Sequence, residues 1–441
     1  MSDTFIGWAC TAKDKPLIQM ELNLRGWDDN CVELDVTHCG MCGTDMHALD
    51  EDWGPTDFPC VVGHEIVGIV TRIGRNVTNL TVGDRGGVGP FAHSCHKCQT
   101  CLEGHENICE NGFIGTYNAN WDNGDKTYGG FANKWRGDYR WAFKVPDSMA
   151  SEDAASFFCA GITSYAPLRN NGVNEKSVVG VLGIGGLGHF GILFAKAMGA
   201  TVIALSHNDK KRNVCNELGC DDFINVSNKS EMAKYRKKLT HILGTGSGED
   251  FKWEPYFDLL RVNGIFMNVN SPGGNLPEFN AINFVLSQVS ISGSAGGSPT
   301  DMEHMLEFAA EKKIKPWQVT HGPAQKVGNM RISRKHFKRK TVKQCNEDSK
   351  REGDSYSDFS STDEETESDI ELSNTTIEIE DLTDEDDEGR MDPLHVRELQ
   401  DRQAREMQAH VASRQPDISS NAGNNAKQIY NSNPQQRGLN H

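Results

Sequence analysis

Four cysteines fall within fifteen residues, Cys95, Cys98, Cys101 and Cys109, in the spacing C-x2-C-x2-C-x7-C. Zinc takes four ligands in a tetrahedron, and thiolate is its favoured structural ligand. The two short spacers let one tight loop supply three sulfurs, and Cys109 closes the set from further along. A complete sulfur set leaves the nearby His93, His96 and His105 no ligand role. An iron–sulfur cluster is the rival, since some ferredoxin spacings also run C-x2-C-x2-C, but those continue x3-C-Pro, which is absent here. Chance clustering is the bland alternative, and four cysteines this close make it a poor one.

Upstream, "CGMCGTDMH" and "GHE" supply Cys42, Thr44, His47, His64 and Glu65. One thiolate and one imidazole are two of the three protein ligands expected of a catalytic zinc, whose fourth position is kept for water or substrate. Cys159, in "FFCAGITSY", is the candidate for the third. Cys39 reads as a small apolar packing residue. Taken singly, each has an ordinary explanation, because a lone His is usually structural and buried Cys is common in cores. Even "CGMCG" alone could be a redox pair. Their order beside the four-cysteine segment carries the weight.

A third chemistry is written in "GIGGLG", which sets Gly183, Gly185 and Gly188 in G-x-G-x-x-G, with Gly186 inside it. The pattern is weak alone, but here it follows an apolar β run and opens a helix, as dinucleotide binding requires. About 20 residues further on, an NAD-binding fold normally carries Asp or Glu for the ribose hydroxyls. This chain has "ALSHNDKKR" there, with Ser206, His207 and Lys211. A hydroxyl and nearby cations suit a 2′-phosphate, so NADP is the expected cofactor. Asp209, three residues past the strand, is expected to point to solvent, and an exposed helix start is the ordinary reading of the lysines.

These residues need elements to hold them. Residues 1–153 alternate apolar and polar positions at strand period in "CVELDVTHCG" and "VVGHEIVGIVTRIG", as in a small β-rich domain. Residues 154–295 change to strand–helix alternation. "SVVGVLGIGGLGHFGILFAKAMGATVIALS" reads as one βαβ unit, the start of a doubly wound sheet. "GIFMNVN" and "QVSISGSA" read as later strands, and "TDMEHMLEFAAEKK" as a helix within the return segment 296–329.

At about residue 330 the composition shifts. Residues 331–351 carry nine Lys and Arg, and 352–388 carry 17 Asp and Glu with no Lys or Arg. The net charge of −17 is therefore the acidic block alone, which removes any case for a polyanion-binding surface on the folded part. Low hydrophobicity and blocks of like charge predict a disordered tail over 330–441, with one helix at 396–412. Within it "TTIEIEDLTDEDDE" is β-prone and could add a strand to a partner's sheet edge. A solvated spacer is the expected role. The basic run could contact nucleic acid, or simply neutralise its acidic neighbour. No apolar run is long enough to span a bilayer. The N-terminus is too polar for a signal peptide, and thirteen cysteines then point to thiols and metal in the cytosol.

Several motifs in collinear order, "GHEIVGIVTRIG", "GDRGGVGP", the cysteine segment, "TYGGFA" and "CAGITSYAPL", make residues 1 to about 320 resemble the zinc-containing medium-chain alcohol dehydrogenases, in particular the NADP-dependent cinnamyl alcohol dehydrogenase branch. The resemblance implies a GroES-like β-rich catalytic domain, an α/β Rossmann domain and two zinc ions per chain. It implies that Cys42, His64 and Cys159 hold the catalytic zinc, with Glu65 as a neighbouring or alternating carboxylate ligand. Thr44 would take the alcohol proton and His47 would relay it to solvent, while Leu49 and Trp53, between the two ligand segments, would either line the substrate pocket or simply pack a loop. Thr245 and Ser294 would join Thr44 in contacting the cofactor, although Asn268 stands where the family usually has Gly. The substrate would be a small alcohol or aldehyde, and a homodimer would form through the Rossmann domain at "QVSISGSA". An NAD-dependent polyol dehydrogenase is the nearest enzyme rival.

One part of the family pattern is missing. After Trp317 no closing strands of the family type, A-x-x-x-M-x-x-G-x-x-R-Y-R-x-V, can be read. Their absence would leave the catalytic sheet an unpaired edge. A catalytically impaired fusion whose acidic tail serves protein interaction is the second alternative.

Overall fold

The computed structural model describes residues 3–246, 251–270, 278–317, and the strands 319–321 and 375–378. The helix expected at 396–412 and the basic run lie outside the described residues. No described helix is long and apolar enough to cross a membrane.

The N-terminal part is β-rich. Strands β1 (Thr4–Ala9) and β2 (Ile18–Asn23) form a hairpin. A larger sheet is built on β3 (Cys31–Met41), β4 (Ile66–Ile73) and β5 (Arg85–Val88). The short pair β6 (Phe91–His93) and β7 (Ile114–Gly115) leads to and from the cysteine segment. Strands β8 (Lys134–Asp138) and β9 (Ala142–Lys144) return to the large sheet, on β3 and β5 respectively. Its core packs Val32, Leu34, Val36, Ile66 and Val70 against Trp121, Phe131 and Trp135, all buried.

The second part is a six-stranded sheet, parallel throughout, of β10 (Val178–Leu182), β11 (Thr201–Ser206), β12 (Asp222–Asn225), β13 (Leu239–Gly244), β14 (Leu260–Asn268) and β15 (Ser290–Gly293). The order is β12-β11-β10-β13-β14-β15. That is the doubly wound arrangement, whose strand order reverses between β10 and β13, where such sheets bind ligands. Covered on both faces, its central strands read as apolar runs without alternation. "TDMEHMLEFAAEKK" forms the helix Pro299–Lys312, started by a reciprocal capping pair between Ser298 and Asp301.

Two expectations at the C-terminal end are corrected. A strand does follow Trp317: β16 (Val319–His321). The other addition is β17 (Thr375–Glu378), from the stretch read as a solvated spacer. It pairs antiparallel with β3, and β16 pairs parallel with it. The edge expected to be bare is covered by the chain's own backbone, which satisfies the polar groups a naked edge exposes.

Candidate active site

The cysteine segment forms a closed cluster. Cys95–Cys101, Cys98–Cys109 and Cys95–Cys109 have sulfurs 3.9, 3.8 and 3.4 Å apart. Sulfurs at the corners of a tetrahedron with zinc–sulfur bonds of about 2.3 Å stand roughly 3.8 Å from one another, so the cluster fits the ion. The backbone helps: the amides of Cys98 and Cys101 donate to the sulfurs of Cys95 and Cys98. Donors from Lys97, Asn111 and Cys98 draw the Cys95 thiol down to about 5. Burial and the neighbouring sulfurs push Cys101 up to about 12. Four sulfurs cannot all ionise at this separation without a cation among them.

The second cluster gathers Cys42, His64, Glu65 and Cys159, whose ligand atoms all lie within 4.8 Å of one another. The Cys42 and Cys159 sulfurs are 3.8 Å apart, and His64 Nε2 is 3.2 Å from Cys159 Sγ. Each arrives from a different element. Cys42 follows β3 directly and is the N-cap of the helix Gly43–Leu49. His64 and Glu65 stand just before β4. Cys159 sits in a π-helical turn, Phe157–Gly161, inside an otherwise α-helical run from Ser151 to Asn170. Such turns re-aim side chains and recur at functional sites. Phe157 packs edge-on against Phe190 and Phe194, tying the turn to the helix Gly186–Ala197.

Glu65 is fully buried, and neither of its carboxylate oxygens has a hydrogen-bond partner of good geometry. Burial and then the Cys42 sulfur push its carboxyl well above the ordinary range. A buried carboxylate without a partner, beside two sulfurs and an imidazole, fits a cation-binding site. Gly40 makes the position possible, because a Cβ there would lie 1.8 Å from Glu65 Oε2. The donor set, S2N with an adjacent carboxylate, matches an open zinc site.

Sequence reading missed Asp45. Its Oδ1 lies 2.8 Å from His64 Nδ1, and its carboxylate accepts from the amides of Gly63 and Cys42, at 3.0 Å each. Burial would lower the His64 pKa, but Asp45 and Cys42 outweigh it and hold it well above the ordinary value. Its position three residues after Cys42, at the first turn of a helix, was the available signal. Tyr117 was missed as well, with its hydroxyl 3.3 Å from His64 Nδ1.

Thr44 and His47 lie on the same short helix as Cys42, both half-buried. His47 Nδ1 bonds to Asp52 Oδ2 at 2.7 Å, and its ring stacks on Trp53 at 4.6 Å between centroids. Leu49 is buried, whereas Trp53 is 49% exposed and stands over the histidine. Cys39 is fully buried, as its reading as a packing residue requires.

The glycine turn lies at the reversal point of the parallel sheet. Gly183 follows β10 with φ +85°, and a Cβ at Gly188 would meet the Gly183 carbonyl oxygen at 1.9 Å, so helix and strand approach closely here. Gly185 caps the helix that Gly186 opens. Thr245, beyond β13, sets its hydroxyl 2.9 and 2.8 Å from the carbonyls of Leu182 and Gly183. Lys211 Nζ reaches the Ile184 carbonyl, so this cation stands beside the turn. Ser206 ends β11 and is buried, and His207 beside it is exposed. The Asp209 carboxylate is taken by Arg212 at 2.6 Å and Asn225 at 3.0 Å. Ser294 follows β15 and donates its amide to the Asn268 carbonyl, while the Asn268 side chain turns to Asn270. A glycine cradle, a cation and an unpaired-acid-free strand end together fit a dinucleotide bearing an extra phosphate.

A third group, His93, His96 and Asp138, has ligand-like spacing. Arg140 already supplies its cation, with Nε 2.9 Å from Asp138, and His93 donates to the same carboxylate at 2.7 Å.

Two family models match the chain, an alcohol dehydrogenase GroES-like domain over residues 28–147 and a zinc-binding dehydrogenase domain over residues 186–311. Cinnamyl alcohol dehydrogenase 1 of Ocimum basilicum is 38% identical over 314 residues, covering 70% of this chain and 86% of that one. The NADP-dependent alcohol dehydrogenase C 1 of Mycolicibacterium smegmatis is 35% identical over 314 residues, covering 71% and 89%. A solved cinnamyl alcohol dehydrogenase of Sorghum bicolor superposes with a TM-score of 0.71 at 28% identity, covering 85% of this chain and 97% of that one.

Proposed function

The chain belongs to the zinc-binding alcohol dehydrogenase family, and from that premise we propose that it interconverts a primary aromatic or medium-chain alcohol and its aldehyde with NADP(H). One observation carries the reading: Cys42, His64, Cys159 and the orphaned Glu65 converge beside a helix that also bears Thr44 and His47. The relatives named for NADP dependence and for cinnamyl alcohol support the cofactor and substrate class.

In this reading Cys42, His64 and Cys159 hold one zinc, Glu65 stands beside it, and Cys95, Cys98, Cys101 and Cys109 hold a second. When bound, the catalytic zinc supplies Lewis acidity to the substrate oxygen and the nicotinamide supplies or accepts hydride. The protein supplies the rest. Asp45 fixes the His64 ring so that Nε2 faces the cluster. The Thr44 hydroxyl takes the alcohol proton, and His47, oriented by Asp52 and Trp53, passes it toward solvent. Gly183, Gly185, Gly186 and Gly188 admit the pyrophosphate to the helix N-terminus, with Thr245 bracing the turn. Ser206, His207 and Lys211 receive the 2′-phosphate, and Ser294 lies on the nicotinamide side.

Domain limits of 1–153 and 154–295 are proposed on the change from β-rich to strand–helix structure, with Cys159 joining the catalytic cluster from the second segment. A homodimer through β15 is supported by an apolar surface on the neighbouring helix Ala281–Ser287, where Ile282, Val285 and Leu286 are 55, 61 and 74% exposed. A cytosolic setting suits twelve free cysteines among the described residues.

The test is turnover of an aromatic primary aldehyde with NADPH against NADH, alongside a polyol with NAD+. NADPH-linked aldehyde reduction supports the proposal. A preference for the polyol with NAD+ would replace it with the polyol dehydrogenase reading.

A further inference from the structure

β3 is the strand that delivers Cys42, and its two edges are held differently. On one side β4 pairs along Val32–Cys39. On the other side β8 covers Cys31–Asp35, and beyond it β17 covers His38–Met41, with Thr375 opposite Met41, Thr376 opposite Gly40, Ile377 opposite Cys39 and Glu378 opposite His38. The chain then passes directly into Cys42 and Thr44. Two residues that flank the glycine beneath Glu65, Cys39 and Met41, are thus in register with the tail strand.

We propose that Thr375–Glu378 is the closing strand of the catalytic sheet and a positioning element for Cys42 and Thr44. The acidic segment up to this strand then belongs to the enzyme. Residues 317–374 contain no segment of the family's closing pattern, so the strand on this edge comes from a sequence unlike that pattern. The composition suits the role: Thr375, Thr376 and Ile377 are β-branched, and no proline interrupts the run. β16 and β17 are parallel, which requires a long crossover, and residues 322–374 supply ample chain. The entropic cost of a chain connection rises only logarithmically with its length. A four-residue strand opens more easily than the long β3–β4 ladder, so its protection should be intermediate.

Hydrogen exchange on the unmodified full-length protein tests this without reference to turnover, so its failure and the failure of the functional proposal are separable. Amides in 38–41 and in 375–378 should both exchange at least 10-fold more slowly than in an unstructured peptide. Exchange of 375–378 at the unstructured rate would overturn the proposal. Protection of 38–41 that falls on dilution would also overturn it, in favour of a strand donated by a second copy. In the full-length variants, Ile377→Pro should speed exchange at 38–41 by at least 10-fold, leave 31–35 unchanged and lower zinc from two to one per chain. Ile377→Val should retain the parent's exchange and both ions. Parent-like exchange and two zinc ions in Ile377→Pro would contradict a positioning role.

Discussion

Asp45 and His64 form a buried pair, with Oδ1 2.8 Å from Nδ1 and only a few per cent of either side chain exposed. The pair decides which ring nitrogen is left for the cluster, since Nε2 is the one 3.2 Å from the Cys159 sulfur. It also joins the two segments that flank the site, because the same carboxylate accepts the Cys42 and Gly63 amides.

Asp45→Ala should therefore weaken the catalytic zinc by roughly 10- to 100-fold, the usual cost of removing a ligand's orienting partner. The four-cysteine ion should be unaffected. Zinc retained per chain against graded chelator measures both, and equal loss of the two ions would contradict the assignment.

His47 is proposed to transfer a proton and not to ligate the metal. His47→Ala should lower kcat by about 100-fold, leave both zinc ions in place and recover partly with added imidazole. Asp52→Asn should show a smaller loss of kcat with little change in KM, because Asp52 orients the ring without meeting substrate.

Ser206→Asp places a carboxylate where the 2′-phosphate is proposed to lie. The ratio of kcat/KM for NADPH to that for NADH should fall by roughly 10- to 100-fold, the loss of one charge-assisted hydrogen bond or more. Steady-state kinetics with both cofactors checks it.

The Asp138–Arg140–His93 group bears on stability. Burial pushes the Asp138 carboxyl up, but hydrogen bonds from Arg140 and His93 outweigh it and hold the group well below the ordinary carboxylate range. A carboxyl lowered on folding contributes stability that is present above its unfolded pKa, about 3.9, and lost as pH falls through the folded value. Asp138→Asn should cost about 2 kcal/mol near neutral pH, with the difference from the parent shrinking below pH about 4. Denaturant unfolding across that range measures it.

The two cysteine-containing clusters were legible because ligand chemistry constrains residue type and spacing together, as in Cys95–Cys109. The glycine turn was legible for a similar reason, since only glycine tolerates φ +85° at Gly183 beside so close an approach at Gly188. Asp45 and Asp52 were not, because an acid near a histidine in sequence is common and only the fold shows which carboxylate turns inward. The tail strand was half legible. Its β-branched run stood out in an acidic stretch, but pairing across more than three hundred residues leaves no local trace. The π-helical turn at Cys159 left none either, for the run Phe157–Gly161 carries no residue pattern specific to that geometry.

Zinc content and aldehyde reduction measured on the same purified full-length protein test the central claim most directly. The parent should carry two zinc ions per chain and reduce an aromatic aldehyde with NADPH. Cys159→Ser should keep one ion and lose reduction by about 1,000-fold or more, since the ion it loses supplies several kcal/mol to the reaction. A parent with one ion that still turns over, or a Cys159→Ser variant with undiminished activity, would contradict the account.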